Sequence, residues 1–169
     1  IVSDGLGGGM MTDPRRIENV VRAIVRAATV PVTVKLRTGP ERGVVTAIEA
    51  AQRAEAAGAG AVCLHPRFSQ GASSLPPHWP LIAEVKRAVS VPVIGNGGIR
   101  HPADALRMFQ ETGCDAVAVA QAAFGKPWIF RQITALLDTG TATPVPEHEE
   151  ILSILLEHYH GLVEHHGEK

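Results

Sequence analysis

The chain has 169 residues, 45% of them hydrophobic and 20% charged, and its 16 basic and 17 acidic side chains leave a formal net charge of −1. This composition excludes a largely disordered chain and gives no support to a whole-chain electrostatic attraction for nucleic acid, while the length is short of the roughly 250 residues of a complete (β/α)8 barrel. Two cysteines exclude a disulfide scaffold and a four-cysteine zinc site, and no apolar run is long enough to span a membrane.

Four short segments rich in Val, Ile and Ala are predicted to be strands. Their central residues are almost all apolar, which is typical of strands buried on both faces of a parallel sheet. They begin 24 to 31 residues apart, which is the size of a strand with its crossover helix. The predicted strands are residues 30–37, 61–65, 91–96 and 115–120.

Helical patterns separate these strands. The first helix is predicted to begin at Pro14 with Asp13 as its N-cap, because Pro suits the first helical position and Asp accepts hydrogen bonds from the free N–H groups there. The later helices are predicted over residues 44–57, 81–89, 102–112, 127–137 and 147–165, with a linker at residues 139–146. Gly58 and Gly113 are predicted to end the helices at residues 44–57 and 102–112.

The ends of the strands decide between a doubly wound sheet and part of a barrel. Three of the four strands end in polar or glycine residues, as expected where strand ends form the mouth of a (β/α)8 barrel. A doubly wound fold would carry a spaced glycine motif after its first strand, but the glycines at positions 5–9 lack that spacing and follow no strand. We therefore predict an α/β fold made of about half a (β/α)8 barrel.

Three of these strand ends contain candidate ligand-binding groups. Lys35 and His65 end neighbouring strands, where both could line a pocket. The alternatives are that Lys35 is solvated at the strand end or forms a structural ion pair, and that His65 is packed and hydrogen-bonded without a ligand. The loop Gly95-Asn96-Gly97-Gly98 either brings backbone N–H groups close to a phosphate or forms a tight turn without a ligand.

Several motifs, taken together and in order, resemble the tRNA-dihydrouridine synthase family. They cover nearly the whole chain, and each is weak when taken singly. The motifs lie at residues 32–39, 57–59, 65–67, 70, 79–86, 91–99, 113–115 and 125–130.

The resemblance implies an FMN-binding TIM barrel followed by a small helical domain that holds tRNA. By this comparison, residues 1–138 are the C-terminal half of the barrel, about strands five to eight, and residues 147–169 begin the helical domain after the linker. The family's general-acid cysteine, in an Asn-x-Gly-Cys-Pro motif, is then expected upstream of this chain, which we interpret as an internal and by itself inactive fragment. Cys63, inside a strand, and Cys114, at the wrong end of another, are not predicted to replace it.

Site residues follow from the resemblance position by position. Lys35 and His65 match contacts to the flavin ring system, and Asn96, Gly97 and Gly98 match the FMN phosphate loop. Ala120 and Gln121 stand where the family usually has a phosphate-binding Gly-Arg pair. The residues expected at the mouth, where tRNA approaches, are Arg37, Arg67 and Gln70.

Two departures from the family pattern bear on cofactor affinity. Gln121 cannot provide the cationic fork with which Arg binds a phosphate. The family's His-Gly-Arg-Thr reads His-Pro-Arg-Phe from His65, so Phe68 removes a hydroxyl and Pro66 stiffens the loop.

The implied activity is the reduction of uridine in tRNA to 5,6-dihydrouridine by a cytoplasmic flavoprotein that uses FMN, with NADPH as the reductant. Two alternatives remain: another FMN- or phosphate-binding barrel enzyme, similar to dihydroorotate dehydrogenase, or a decayed half barrel without activity. No metal site is predicted, because only His158 and His165 of the histidine-rich last helix share a face. The sequence leaves the oligomeric state and the modified tRNA position open.

Overall fold

The computed structural model describes residues 5–70 and 76–167 of the chain. Short 3-10 helices at Gly7–Thr12 and Gln121–Ala123 accompany the regular elements. The ends of the predicted barrel and helical segments at residues 1–4 and 168–169 lie outside the described residues. Within those ranges, the strands are β1 (Thr33–Arg37), β2 (Ala61–His65), β3 (Val93–Asn96) and β4 (Ala116–Ala118), and the helices are α1 (Pro14–Ala27), α2 (Ala47–Ala56), α3 (Pro80–Ala88), α4 (Pro102–Thr112), α5 (Ile129–Thr139) and α6 (His148–His166).

The four strands form one parallel sheet in the order β1-β2-β3-β4. Lys35 pairs with Cys63, Cys63 with Ile94 and Ile94 with Ala116, so these residues form one row across the sheet. Consecutive parallel strands joined by helices confirm the predicted α/β fold of barrel type. The numbering of the strands as five to eight stays a prediction.

The hydrophobic core lies between the sheet and the helices. Helix α2 contacts β1 and β2, while α3 and α4 contact β3 and β4 respectively. The apolar side chains that point toward these helices exclude water almost completely, and this burial is the main favourable contribution to folding. The largest fully buried side chains are Leu64, Ile82, Met108, Val62, Val85 and Val93.

The prediction that every strand is buried on both faces is wrong for the outer strands. Thr33 and Lys35 of β1 are exposed, and all three residues of β4 are only half-buried. Both strands pair with a single neighbour in the described part of the chain, and the sheet face opposite the helices carries no second layer there. This face is the one that would point into a barrel.

Three strands begin later than predicted, including β4, which starts at Ala116 instead of residue 115. Strand β1 starts at Thr33 and β3 at Val93, each after a proline that was included in the predicted strand. Proline has no N–H to donate to the ladder, although its carbonyl still accepts: the N–H of Val62 bonds to the oxygen of Pro92 at 2.9 Å. Strand β4 is shorter than predicted, ending at Ala118 before the turn that contains Gln121.

Some predicted helix ends agree with the structure, but α2 begins at Ala47 instead of residue 44, and α5 covers Ile129–Thr139 instead of residues 127–137. The side chain of Asp13 accepts a hydrogen bond from the N–H of Arg15 at 3.0 Å, and Pro14 opens α1. Gly113 follows α4 with a φ of +67°, a left-handed conformation that side chains with a Cβ rarely adopt.

Helix α6 follows the connection at residues 140–147, since Thr139 of the predicted linker belongs to α5, and Glu150 of α6 forms an ion pair with Arg131 of α5 at 3.0 Å. None of its described residues is buried. None of the helices in residues 5–70 and 76–167 is long and apolar enough to cross a membrane. The apolar side chains that α6 exposes are Leu152, Leu155, Leu156, Tyr159 and Leu162.

Candidate functional site

An open cleft of about 750 Å³ lies where the strands end, at the edge of the sheet that corresponds to a barrel mouth. It contains all seven residues that the sequence predicted for cofactor binding, drawn from β1, β2, β3 and the segment after β4, together with Arg67 from the predicted tRNA mouth. The predicted residues that line it are Lys35, His65, Arg67, Asn96, Gly97, Gly98, Ala120 and Gln121.

Two hydrogen bonds through Asn96 connect the outer strands β1 and β4 across this cleft. The Lys35 ammonium donates to Oδ1 of Asn96 at 2.8 Å, and Nδ2 of Asn96 donates to the carbonyl of Ala118 at 2.7 Å. These contacts fix the orientation of the buried Asn96 amide. Because an ammonium has three hydrogens, Lys35 keeps donor capacity for a ligand in the cleft.

His65 stays neutral at physiological pH. Its burial, together with the positive charges of Arg37, Lys35 and Arg67, lowers the pKa of the imidazole from 6.5 to about 4. Adding a further positive charge among these cations is unfavourable. His65 therefore offers one donor and one acceptor nitrogen to a ligand without adding charge.

The loop after β3 requires glycine at two positions. Gly97 and Gly98 have φ of +99° and +79°, and a Cβ on Gly97 would lie 2.5 Å from Cδ2 of His65. Their N–H groups have no hydrogen-bond partner within residues 5–70 and 76–167. Backbone N–H groups of this kind can donate to an anion.

Trp79 supports this glycine loop from the connection between β2 and α3. Its indole Nε1–H donates to the carbonyl of Gly97 at 3.0 Å. The guanidinium of Arg107 lies 5.2 Å from the centre of the Trp79 ring, within the range of a cation–π contact. The sequence reasoning missed this role, because the contact joins residues 18 positions apart and no local pattern indicates it.

The cleft is strongly cationic. Lys35, Arg67, Arg100 and Lys126 line it, and no Asp or Glu is among its lining residues in the described part of the chain. Such a distribution attracts an anionic ligand. The sequence analysis did not predict Arg100 and Lys126 as site residues. Each follows a candidate strand-end motif, and this position could have indicated their role.

Two of the residues predicted at the tRNA mouth lie outside the cleft. Arg37 lines a neighbouring groove of about 510 Å³ between α1 and the open edge of β1. Gln70 is exposed, and its N–H donates to the carbonyl of Pro40 at 3.0 Å. Arg67 is therefore the one predicted mouth residue that the described structure places in the cleft itself.

The described residues hold no cluster of three or more His, Cys, Asp or Glu side chains that could bind a metal ion. Cys114 is buried where β4 begins, at the opposite end of the sheet from the cleft. Cys63 is half-buried in β2, with its sulfur 3.7 Å from the Lys35 ammonium. The site therefore consists of cations, glycine N–H groups and a neutral imidazole.

Consecutive parallel βα units with a cationic, glycine-lined cleft at the strand ends are typical of (β/α)8-barrel proteins. The family model for dihydrouridine synthase (Dus) matches residues 1–169. The chain belongs to the dihydrouridine synthase family, which confirms the resemblance in its motifs. This match favours that family over the dihydroorotate dehydrogenase-like alternative.

Curated relatives match along the whole chain but extend beyond it. The chain is 37% identical over 169 residues to tRNA-dihydrouridine synthase B of Pseudomonas aeruginosa, covering 100% of this chain and 51% of that protein. It is 39% identical over 162 residues to tRNA-dihydrouridine synthase B of Vibrio vulnificus, covering 96% and 50% respectively. The chain thus spans about half the length of the curated relatives it matches.

Two solved structures resemble the fold in part. Wild-type GGGPS from Thermoplasma volcanium aligns with 75% of this chain and 57% of its own, at 18% identity and a TM-score of 0.48. Nitroalkane oxidase from Streptomyces ansochromogenes aligns with 70% and 42%, at 24% identity and a TM-score of 0.40.

Proposed function

We propose that this chain forms the FMN-binding half of a tRNA-dihydrouridine synthase, which reduces uridine in tRNA to 5,6-dihydrouridine. The observation that carries the proposal is the cationic cleft at the strand ends, in a chain whose family is established. Its Lys35–Asn96 pair lies beside a glycine loop with free N–H groups. Residues 1–138 then belong to the barrel and residues 147–169 to a helical domain.

The residues of the cleft fit FMN. A phosphate monoester carries between one and two negative charges at neutral pH, and the cleft offers cations and glycine N–H groups without a competing carboxylate among its described lining residues. Gly97 and Gly98 would hold the phosphate, and Ala120 and Gln121 border it. When bound, FMN supplies hydride chemistry, with NADPH as the source of the electrons.

Lys35 and His65 would contact the flavin ring system. The hydrogen bond to Asn96 holds the Lys35 ammonium in place, so a positive charge faces the ring without reorganisation on binding. The neutral His65 can donate a hydrogen bond to a ring oxygen or accept one from a ring N–H. Both residues bind and orient, and neither is assigned a proton transfer.

Arg67, Arg37 and Gln70 would contact tRNA near the mouth, where a uridine leaves its stack to reach the flavin. Neither cysteine of this chain suits the role of the acid that protonates C5, since Cys114 is buried away from the cleft and Cys63 lies within the sheet. We expect that acid from a preceding part of the polypeptide, and a cytoplasmic location like that of tRNA.

The proposal is tested in a bacterial host whose tRNA lacks dihydrouridine. The gene that encodes this chain, in its full natural length, should restore dihydrouridine, as measured by mass spectrometry of digested tRNA. Lys35→Ala should reduce the product strongly, while Arg26→Ala, which changes an exposed cation on α1, should not. Failure of the unaltered gene to restore any dihydrouridine would contradict the proposed function.

A further inference from the structure

The cations of the cleft differ in how they are already engaged. Lys35 donates to Asn96 at 2.8 Å, on the inner face of the sheet. Arg100 and Lys126, in contrast, are exposed at the rim, and no carboxylate of residues 5–70 or 76–167 lies within 4.0 Å of either charged group. These two side chains are therefore available to a ligand.

Arg100 and Lys126 lie on the loops that follow β3 and β4, two neighbouring strands of the sheet. Arg100 comes two residues after Gly98 on the glycine loop itself, and Lys126 follows the turn that begins at Gln121. Both line the same cleft as Gly97 and Gly98. Two separate segments thus each contribute one cation to the cleft that the glycine loop lines.

The backbone beneath Arg100 is already fixed. The carboxylate of Asp104 accepts hydrogen bonds from the N–H groups of Arg100 and His101, each at 2.9 Å. These two N–H groups are therefore not free for a ligand at the start of α4. An anion in this part of the cleft has to use the glycine N–H groups and the side chains above them.

Gln121 lines the same cleft and carries no charge. An amide can donate one hydrogen bond to a phosphate oxygen, but it does not neutralise the charge of a phosphate monoester. Two cations are needed to balance a group of nearly two negative charges.

We propose that Arg100 and Lys126 form the ion pairs with the terminal phosphate of FMN, because the uncharged Gln121 cannot form one. The proposal rests on the proposed function. It assigns Lys35 to the ring system and the two rim cations to the phosphate, so the rim cations determine the preference for FMN over riboflavin, which has the same ring without the phosphate.

The test compares both flavins on the 169-residue chain, titrated up to the solubility limit of riboflavin and followed by the amide signals of Gly97 and Gly98. The unaltered chain should bind FMN more tightly than riboflavin. Arg100→Gln and Lys126→Gln should each weaken FMN about tenfold, as expected for a lost charge-assisted hydrogen bond, and leave riboflavin unchanged. Arg87→Gln, an exposed cation on α3 outside the cleft, should change neither affinity.

The outcomes separate this proposal from the proposed function. A preference for FMN that persists in the double variant would overturn the role of Arg100 and Lys126 and leave flavin binding standing. Equal affinities of the unaltered chain for FMN and riboflavin would do the same. Binding of neither flavin in these titrations would overturn both.

Discussion

The indole of Trp79 donates a hydrogen bond of 3.0 Å to the carbonyl of Gly97, so that the start of α3 supports the glycine loop that follows β3. The contact ties the loop to a neighbouring βα unit. Because the loop carries the free N–H groups of the cleft, its conformation and its ligand affinity depend on a residue that does not itself line the cleft.

Trp79→Phe should therefore weaken the binding of FMN severalfold while leaving the fold intact. Phenylalanine keeps an aromatic ring beneath Arg107 but removes the donor to Gly97, so the loop loses one restraint. Flavin fluorescence titration measures the affinity, and thermal unfolding checks the fold. Trp128→Phe is the matched control, since Trp128 lies before α5 and makes no hydrogen bond to the loop among the described residues; an equal effect of the two substitutions would contradict the supporting role of Trp79.

Gly95→Ala should destabilise the protein by about 1–3 kcal/mol, the usual range for an overpacked core. A Cβ at Gly95 would lie 2.5 Å from Sδ of Met108 and 3.2 Å from Sγ of Cys114. Urea unfolding measures the free energy of unfolding. The control is Gly161→Ala in α6, where a Cβ has nothing within 4 Å and should be neutral or slightly stabilising; a stability of Gly95→Ala equal to that of the unaltered chain would show that the core is not tightly packed at β3.

The free energy of unfolding should fall as the pH decreases from about 6.5 to about 4. His65 has a pKa of about 4 in the folded protein and an ordinary value near 6.5 in the unfolded chain. Between these values the unfolded chain binds more protons, so acid favours unfolding there. Above pH 6.5 the contribution of His65 is constant.

Urea unfolding at a series of pH values measures this dependence. His65→Gln should flatten the curve between pH 4 and 6.5, whereas His158→Gln on the exposed α6 should leave its slope unchanged. A curve for His65→Gln with the same slope as that of the unaltered chain would refute the assignment of the pH dependence to His65.

The open edge of β1 and the groove beside it should make the isolated 169-residue chain associate. Ile24 of α1 is 49% exposed there, and unpaired strand edges form hydrogen bonds with other chains. Sedimentation velocity should show species larger than the monomer at increasing concentration. Ile24→Lys should reduce them, Val145→Lys outside the groove should not, and a monomer at all concentrations would contradict the expectation.

The sequence predicts the parallel topology and the helix ends at Asp13 and Gly113, because the periodicity of apolar residues and the capping preferences of these two residues are local properties. It also identifies Lys35, His65 and the glycine loop, since strand ends converge in this fold. Two contacts of the site, Trp79 with Gly97 and Lys35 with Asn96, depend on how separate βα units are aligned. A local sequence pattern cannot predict that alignment. The lowered pKa of His65 likewise depends on cations that the fold brings together.

We expect the cleft at the strand ends to bind FMN, with Lys35 beside the ring and the glycine loop beside the phosphate. Amide chemical-shift mapping of the 169-residue chain during titration with FMN measures where the flavin binds. The largest changes should occur at Lys35, His65, Gly97 and Gly98, α6 should be unaffected, and Lys35→Ala should weaken the binding of FMN and riboflavin alike. Changes confined to the groove between α1 and β1, or unaltered affinities in Lys35→Ala, would contradict this placement of the flavin.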